Sequence, residues 1–239
     1  MANITYDGQA SDYSHLTEQM YDFRLGDYVS RGWDIFKENA GMMIGFVIVQ
    51  GIISSVGGVI PFVGTFISMA ISACMAGGFY LTCQKITKGE SIEFGDFFKG
   101  FDHFKELFLG QIVMTLMVVI GIICLVLPGI YLALAYGFMV PLIVLGKLPF
   151  WEAMETSRKI ITKNWFMFFA MGFVYFGIIL LGLLALGVGI LVAAPVILCI
   201  QYAMYESIVG INVDVYQDQI DEIGLKTEDT WGGDATLLK

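Results

Sequence analysis

The segment LFLGQIVMTLMVVIGIICLVLPGIYLALAYGFMVPLIVLG, residues 107–146, contains 40 consecutive residues without Asp, Glu, Lys or Arg. Two further charge-free tracts of 46 and 42 residues cover 39–84 and 164–205. One charge at the centre of a bilayer costs roughly 2.5–3.5 kcal/mol on the insertion scale, so such tracts are typical of membrane-embedded protein. The composition agrees: 15% of the chain is charged and its mean hydropathy is +0.74, against about 25% charged residues in soluble domains.

Each charge-free tract is long enough for two membrane crossings. A crossing helix needs about 20 residues, and a single 40-residue helix would be about 60 Å long, twice the hydrocarbon thickness. Each tract is therefore predicted to fold back as a helical hairpin. The predicted turns lie beside prolines that recur 67 residues apart, at Pro61, Pro128 and Pro195. Proline suits the first turn of a helix and neighbouring glycines permit tight turns.

A short polar motif precedes the first two tracts. It reads GWDIFKE at 32–38 and GFDHFKE at 100–106, and a diverged third copy, FWEAMETSRKIITKNW at 150–165, has Ser157 in the place of Gly32. We therefore predict three copies of one unit, each an amphipathic segment followed by two spans. The predicted fold is all-α, with six transmembrane helices as three helical hairpins in a pseudo-threefold arrangement. The predicted divisions are a polar acidic N-terminal tail (1–23), a six-span membrane domain (24–211, with repeats at about 25–84, 94–146 and 150–211) and an acidic C-terminal tail (212–239).

The polar segments carry aromatic residues at helical spacing on one face and charges on the other. Such segments lie in the plane of the membrane interface, where aromatic rings are favoured. The predicted interfacial anchors are Trp33, Phe36, Phe97, Phe101, Phe104, Trp151 and Trp165. They either only anchor and orient the spans, or also bind lipid headgroups or a partner.

The cations predict the orientation. Of the 13 Lys and Arg residues, 11 lie in 24–38, 85–105 and 147–163, beside the polar segments. Because Lys and Arg near span ends mark the cytoplasmic side, both termini are predicted to be cytoplasmic. The net charge of −9 comes from the tails, and there is no basic patch of the nucleic-acid-binding type.

Few residues in the charge-free tracts could carry chemistry. No catalytic, phosphate-binding or dinucleotide motif is present, and the four cysteines lack metal-ligand spacing, so we predict neither a cofactor nor a metal. The candidate intramembrane polar site consists of Gln111, Gln201, Tyr202 and Glu206. Interhelical hydrogen bonds, and pairing of Glu206 with a boundary cation such as Lys163, are the alternatives to a substrate site. Pro141 is predicted to kink the fourth span.

One passage resembles a known family. GFMVPLIVLGKLPFWEAMETSRKIITKNWFMFF (137–169) and PVILCIQYAMYESIVG (195–210) are similar to the membrane domain of some bacterial glycerophosphodiester phosphodiesterases and to stand-alone proteins of the YciC type. The shared motif is approximated by Glu152, Ala153, Ser157, Asn164 and Trp165. The resemblance implies a six-span bacterial inner-membrane domain; the catalysis of the phosphodiesterases is not carried over, because the sequence contains no phosphodiesterase domain.

The predicted function is that of a non-enzymatic, multi-pass protein of the cytoplasmic membrane with a scaffold or lipid-interacting role. Membrane lipids are the predicted partner, with a second copy of the chain or another membrane protein left open, and no nucleic acid. The alternative is a channel or transporter for a small or amphipathic solute. That alternative requires a water-filled cavity lined by the four polar residues, whereas a closed centre favours the scaffold.

Overall fold

The computed structural model describes residues 23–57, 63–185 and 189–210, and these residues are largely helical, without a strand. Most of both predicted tails, and Pro61, lie outside the described residues. In chain order the elements are α1 (Leu25–Glu38), α2 (Ala40–Gly57), α3 (Val63–Thr87), a 3-10 helix (Phe94–His103), α4 (Phe104–Cys124), α5 (Val126–Ala135), α6 (Met139–Val144), α7 (Phe150–Lys163), α8 (Trp165–Leu184), α9 (Ile190–Tyr205) and a π-helical turn (Glu206–Gly210).

Several of these helices have the dimensions of membrane spans. Four stretches of the described chain are long and apolar enough to cross a bilayer. They are Phe94–Cys124, Val126–Val144, Trp165–Leu184 and Ile190–Val209. A fifth is reached if Leu25–Glu38 and Ala40–Ser55, which meet at 91°, are taken together as one bent span. The structure is therefore compatible with a multi-pass membrane protein of four to five spans, compared with the six predicted.

The third helix bears on this difference. α3 is 25 residues long, more than the roughly 20 that a bilayer requires. It is not among the four stretches found in the described part of the chain, although residues 63–84 contain no Asp, Glu, Lys or Arg. Length and absence of charge would thus allow α3 to cross a membrane.

The apolar helices differ in how much protein surrounds them. In the most apolar windows of Phe94–Cys124 and Trp165–Leu184 only 17% of the residues are buried inside the protein, against 61% in Ile190–Val209. Bulky side chains such as Ile123, Leu127 and Phe166 are at least 78% exposed. Contiguous apolar surface of this kind marks a membrane or protein contact. α9 therefore lies in the core, and α4 and α8 lie at the periphery.

Each polar helix packs most closely on an apolar helix of a different predicted unit. α1 packs on α9, the 3-10 helix on α3, and α7 on α5 and α6. Glycine makes two of these contacts possible. A Cβ atom on Gly32 of α1 would lie 2.6 Å from Ile200 of α9, and one on Gly100 would collide with the Cys74 carbonyl oxygen of α3. The absence of a side chain lets the helix backbones approach this closely.

Candidate functional site

The four polar residues predicted to form one intramembrane site lie in three separate places. Gln111 of α4 lines a groove of about 380 Å³ together with serines of α2 and α3, namely Ser54, Ser68 and Ser72. Gln201 faces the junction between α5 and α6. Tyr202 and Glu206 contact α3 and α1. These four side chains therefore do not line a common cavity.

Glu206 and Tyr202 bind neighbouring helices at the end of the bundle where α1 lies. Two guanidinium nitrogens of Arg31, Nη2 and Nε, lie 2.6 and 2.8 Å from Oε2 of Glu206. The hydroxyls of Tyr202 and Thr87 are 2.9 Å apart and share a hydrogen bond. The sequence placed Glu206 beside a boundary cation but did not single out Arg31, because the partners are 175 residues apart.

The apolar stretch that contains Pro141 is broken in its middle. Residues 136–138 form a turn between α5 and α6. Because Pro141 has no N–H, it cannot donate to the carbonyl of Gly137 four residues earlier. The side-chain amide of Gln201 supplies a donor instead, with Nε2 2.6 Å from the Gly137 oxygen. The kink predicted at Pro141 is thus a break that begins five residues before the proline.

Ser157 of α7 satisfies two further backbone groups at this break. Its side chain is fully buried. The hydroxyl donates to the carbonyl of Ala135, with 2.7 Å between the oxygens, and accepts from the N–H of Phe138 at 3.0 Å. Since buried backbone polar groups must be paired, this one side chain allows the helix to stop and restart inside the protein. The motif marked Ser157, but the sequence did not reveal these partners.

A cavity of about 170 Å³ lies beside the break. Its floor is formed by the buried side chains of Phe138, Ile161, Met171 and Met204. Ala133 of α5 is exposed at its edge, and nothing lies within 4 Å of a Cβ position on Gly172 of α8. Tyr175 also lines the cavity, and its hydroxyl is buried without a hydrogen-bond partner. We name this space the break cavity.

A second polar cluster fixes the loop between α3 and the 3-10 helix. Oδ1 of Asp96 lies 2.9 Å from Lys85 Nζ and 2.6 Å from Lys99 Nζ, while Oδ2 accepts from the Glu93 N–H at 2.9 Å. Within the stretch Phe94–Cys124, the 21 residues of α4 alone suffice to cross the hydrocarbon, which is about 30 Å thick. The 3-10 helix that carries Asp96 therefore lies outside the part that crosses. The Glu93 N–H and the two ammonium groups hold the pKa of Asp96 well below its usual range.

The predicted interfacial anchors fall into two groups. Four have exposed side chains: Trp33, Phe101, Phe104 and Trp151. Trp165 is half-buried. Phe36 and Phe97 are buried inside the protein. The Phe97 ring stacks on Phe46 with centroids 4.7 Å apart, so it joins the 3-10 helix to the core.

Two of the three prolines predicted at hairpin turns, Pro128 and Pro195, lie within the helices that follow those turns. Pro128 is the third residue of α5, after the chain leaves helical geometry at Leu125. Pro195 is the sixth residue of α9 and is buried, so the chain turns before it. Pro61 lies outside the described residues. Among the described residues, no cluster of three or more His, Cys, Asp or Glu side chains could hold a metal ion.

The fold and these contacts define a helical protein with several helices of membrane-spanning length and composition. Comparisons with protein-family models, curated proteins and solved structures gave no match. The role of the chain therefore has to be inferred from its own geometry.

Proposed function

We propose that this chain is a six-span protein of the bacterial cytoplasmic membrane with a scaffold or lipid-interacting role and no enzymatic activity. Its spans form three hairpins, each preceded by an amphipathic helix at the cytoplasmic interface. Its partners are membrane lipids, with a second copy or another membrane protein as further candidates. This proposal agrees with the resemblance to the membrane domain of glycerophosphodiester phosphodiesterases.

The backbone at the first and third helix junctions supports a repeated unit. In both, the polar helix is followed by an apolar helix after an asparagine with similar dihedral angles. Asn39 has φ −137° and ψ 35°, and Asn164 has −120° and 39°. The second junction lies at His103, four residues earlier in the motif than Asn39, with φ −103° and ψ 20°. Asn39 and Asn164 also make the same backbone bonds, each donating its N–H to the carbonyl three residues earlier and accepting from the N–H four residues later.

The packing of the polar helices supports a threefold arrangement. The first polar helix contacts the last apolar helix of the third unit, the second contacts that of the first unit, and the third contacts that of the second. A small residue stands at the contact in each case: Gly32, Gly100 and Ser157. A cyclic order of this kind is what three parallel repeats around one axis would produce.

The charges and exposed aromatics support the proposed orientation. In the described part of the chain, every Lys and Arg lies in 24–38, 85–105 or 147–163, beside a polar helix. Trp33, Phe101 and Trp151 are exposed on those same three helices. Aromatic rings favour the headgroup depth and cations favour the cytoplasmic side of a membrane.

The hydrogen bonds of the polar side chains favour the scaffold role over catalysis or transport. Gln201, Tyr202 and Glu206, polar residues at or near the end of the third charge-free tract, each bind a neighbouring helix. Polar side chains used in this way hold helices together inside a membrane. Because each of the three side chains binds a different segment, together they do not line a continuous polar path through the bundle core.

The groove around Gln111 supports a second candidate function, transport. Its three serines and one amide are neutral hydrogen-bonding groups inside apolar helices, and polar residues in such positions mark solute pathways in transporters. A channel or transporter for a small or amphipathic solute is therefore the alternative role.

Reconstitution of the full-length protein into phospholipid vesicles tests the two roles. We expect glycerol and ion permeability equal to that of protein-free vesicles, for the wild type and for Gln111→Leu and Glu206→Ala alike. We also expect phospholipid to remain bound after detergent exchange, as measured by mass spectrometry. Permeability above that of empty vesicles that Gln111→Leu abolishes would establish the transport role instead.

A further inference from the structure

We propose that the break cavity binds part of a phospholipid acyl chain, which enters between α5 and α8. This inference rests on the proposed membrane role and names the part of the lipid that the protein holds. Two residues of the cavity lining, Phe168 and Tyr175, are the fourth and eleventh of the 20 residues of α8, which places them about 5 and 15 Å from the start of the helix. The cavity therefore extends from the cytoplasmic end of the span toward the bilayer centre, and the surrounding medium over that depth is hydrocarbon.

The walls of the break cavity match a hydrocarbon chain. Phe138, Ile161, Met171 and Met204 provide a buried apolar floor, and the lining contains no charged residue. At the break, the Gln201 amide donates to the Gly137 carbonyl. The hydroxyl of Tyr175 is buried without a hydrogen-bond partner, and one such hydroxyl is fewer than the partners a buried water takes. A water molecule needs two to four polar partners, and an apolar cavity of about 150 Å³ stays dry and accepts a molecule the size of benzene.

The opening of the break cavity faces the apolar outer surface of the protein. Gly172 leaves space at its edge, and Phe173 and Phe176, on neighbouring turns of α8, are each 64% exposed. The cavity is thus continuous with the surface that lipid chains would cover. An unfilled apolar space loses dispersion contacts along all its walls, so an acyl chain that enters restores contacts which the flat outer surface cannot offer.

Photocrosslinking tests this site. Full-length protein is reconstituted into vesicles of phosphatidylethanolamine and phosphatidylglycerol that contain a small fraction of phosphatidylglycerol with a diazirine in the middle of one acyl chain. After illumination, adducts are mapped by mass spectrometry. We expect adducts on Met204 at the cavity floor as well as on Phe176 at the outer surface. A water-soluble, membrane-impermeant diazirine should not label Met204.

Two glycine variants of α8 provide a matched comparison. Gly172→Leu fills the break cavity and should abolish the Met204 adducts while retaining those on Phe176. Gly177→Leu also has open space around its Cβ position but does not line the cavity, so it should label like the wild type. Phe176 adducts without Met204 adducts in the wild type, or equal Met204 labelling in both variants, would overturn the site. Absence of adducts at both positions would instead overturn membrane insertion, and with it the proposed function.

Discussion

Replacing Ser157 by alanine removes the side chain that stabilises the helix break. The buried hydroxyl donates to the Ala135 carbonyl and accepts from the Phe138 N–H. Alanine fits the same space but leaves both backbone groups without their partner. Neither group can turn to water, because the position is fully buried. The variant is therefore expected to fold less stably while its apolar packing stays nearly the same.

The expected loss follows from the two bonds. An unpaired buried polar group costs about 1–3 kcal/mol, whereas interhelical hydrogen bonds in one membrane protein average about 0.6 kcal/mol and reach about 1.7 kcal/mol. For two bonds these ranges overlap at about 2–3 kcal/mol of unfolding free energy. At roughly 2–4 °C for each kcal/mol in a domain of this size, the melting temperature should fall by roughly 4–12 °C.

The cysteines of the chain provide the assay. Three thiols are buried: Cys74, Cys83 and Cys199. The exposed Cys124 is replaced by serine to remove background labelling. In mild detergent, a fluorogenic maleimide then reports the temperature at which the buried thiols become accessible. The expected result is a transition at a lower temperature for Ser157→Ala.

Ser55 is the matched control, because its exposed hydroxyl donates only to the Ile52 carbonyl of its own helix. Ser55→Ala should change the unfolding free energy by no more than about 0.5 kcal/mol. If Ser157→Ala and Ser55→Ala have the same transition temperature, the role of Ser157 at the break is refuted.

Three further outcomes are expected, the first two in the same assay. Gln201→Leu should destabilise the protein by about 1–2 kcal/mol, because the Gly137 carbonyl loses its donor. Adding Pro141→Ala to this variant should recover part of that loss, since alanine restores a backbone N–H. Strictly additive effects of the two substitutions would argue against this coupling. Gly100→Ala should cost about 1–3 kcal/mol through overpacking, whereas Gly95→Ala, with open space around it, should be neutral or slightly stabilising; equal transition temperatures would contradict the close approach. Because folding lowers the pKa of Asp96, its stabilisation is complete above about pH 4 and is lost as the pH falls from there. Asp96→Asn should therefore be less stable than the wild type at neutral pH and should lack this component of the acid dependence. Because thiols scarcely react with maleimide in acid, the pH profiles are recorded by near-ultraviolet circular dichroism, and identical profiles would refute the contribution.

The sequence was a good guide to the helices and a poor guide to their contacts. Charge-free tracts and aromatic spacing are local features, so they predicted apolar helices preceded by polar ones. A kink at Pro141 was also predictable, since the missing N–H is a property of that residue alone. The position of the break was not, because it depends on Ser157 and Gln201, which lie 19 and 64 residues from their partners.

The candidate polar site shows the same limit. Gln201 and Tyr202 are neighbours in sequence but occupy different faces of α9, since adjacent helix residues are turned by about 100°. Gln201 thus reaches the break while Tyr202 reaches Thr87 of α3. Composition can identify polar residues inside apolar tracts, but only the packing decides whether they converge on a solute or bind separate helices. The buried positions of Phe36 and Phe97 likewise follow from packing on neighbouring helices, which no local pattern specifies.

The central claim is that each charge-free tract crosses a membrane and returns, and epitope accessibility tests it most directly. One epitope is inserted at Leu125, where the chain leaves helical geometry between α4 and α5, and another at Lys147, in the loop before α7. On intact spheroplasts, antibody should bind the first epitope, and it should bind the second only after the membrane is permeabilised. Accessibility of both epitopes from the same side would contradict the hairpin, and recovery of the protein in the soluble fraction without detergent would contradict membrane insertion altogether.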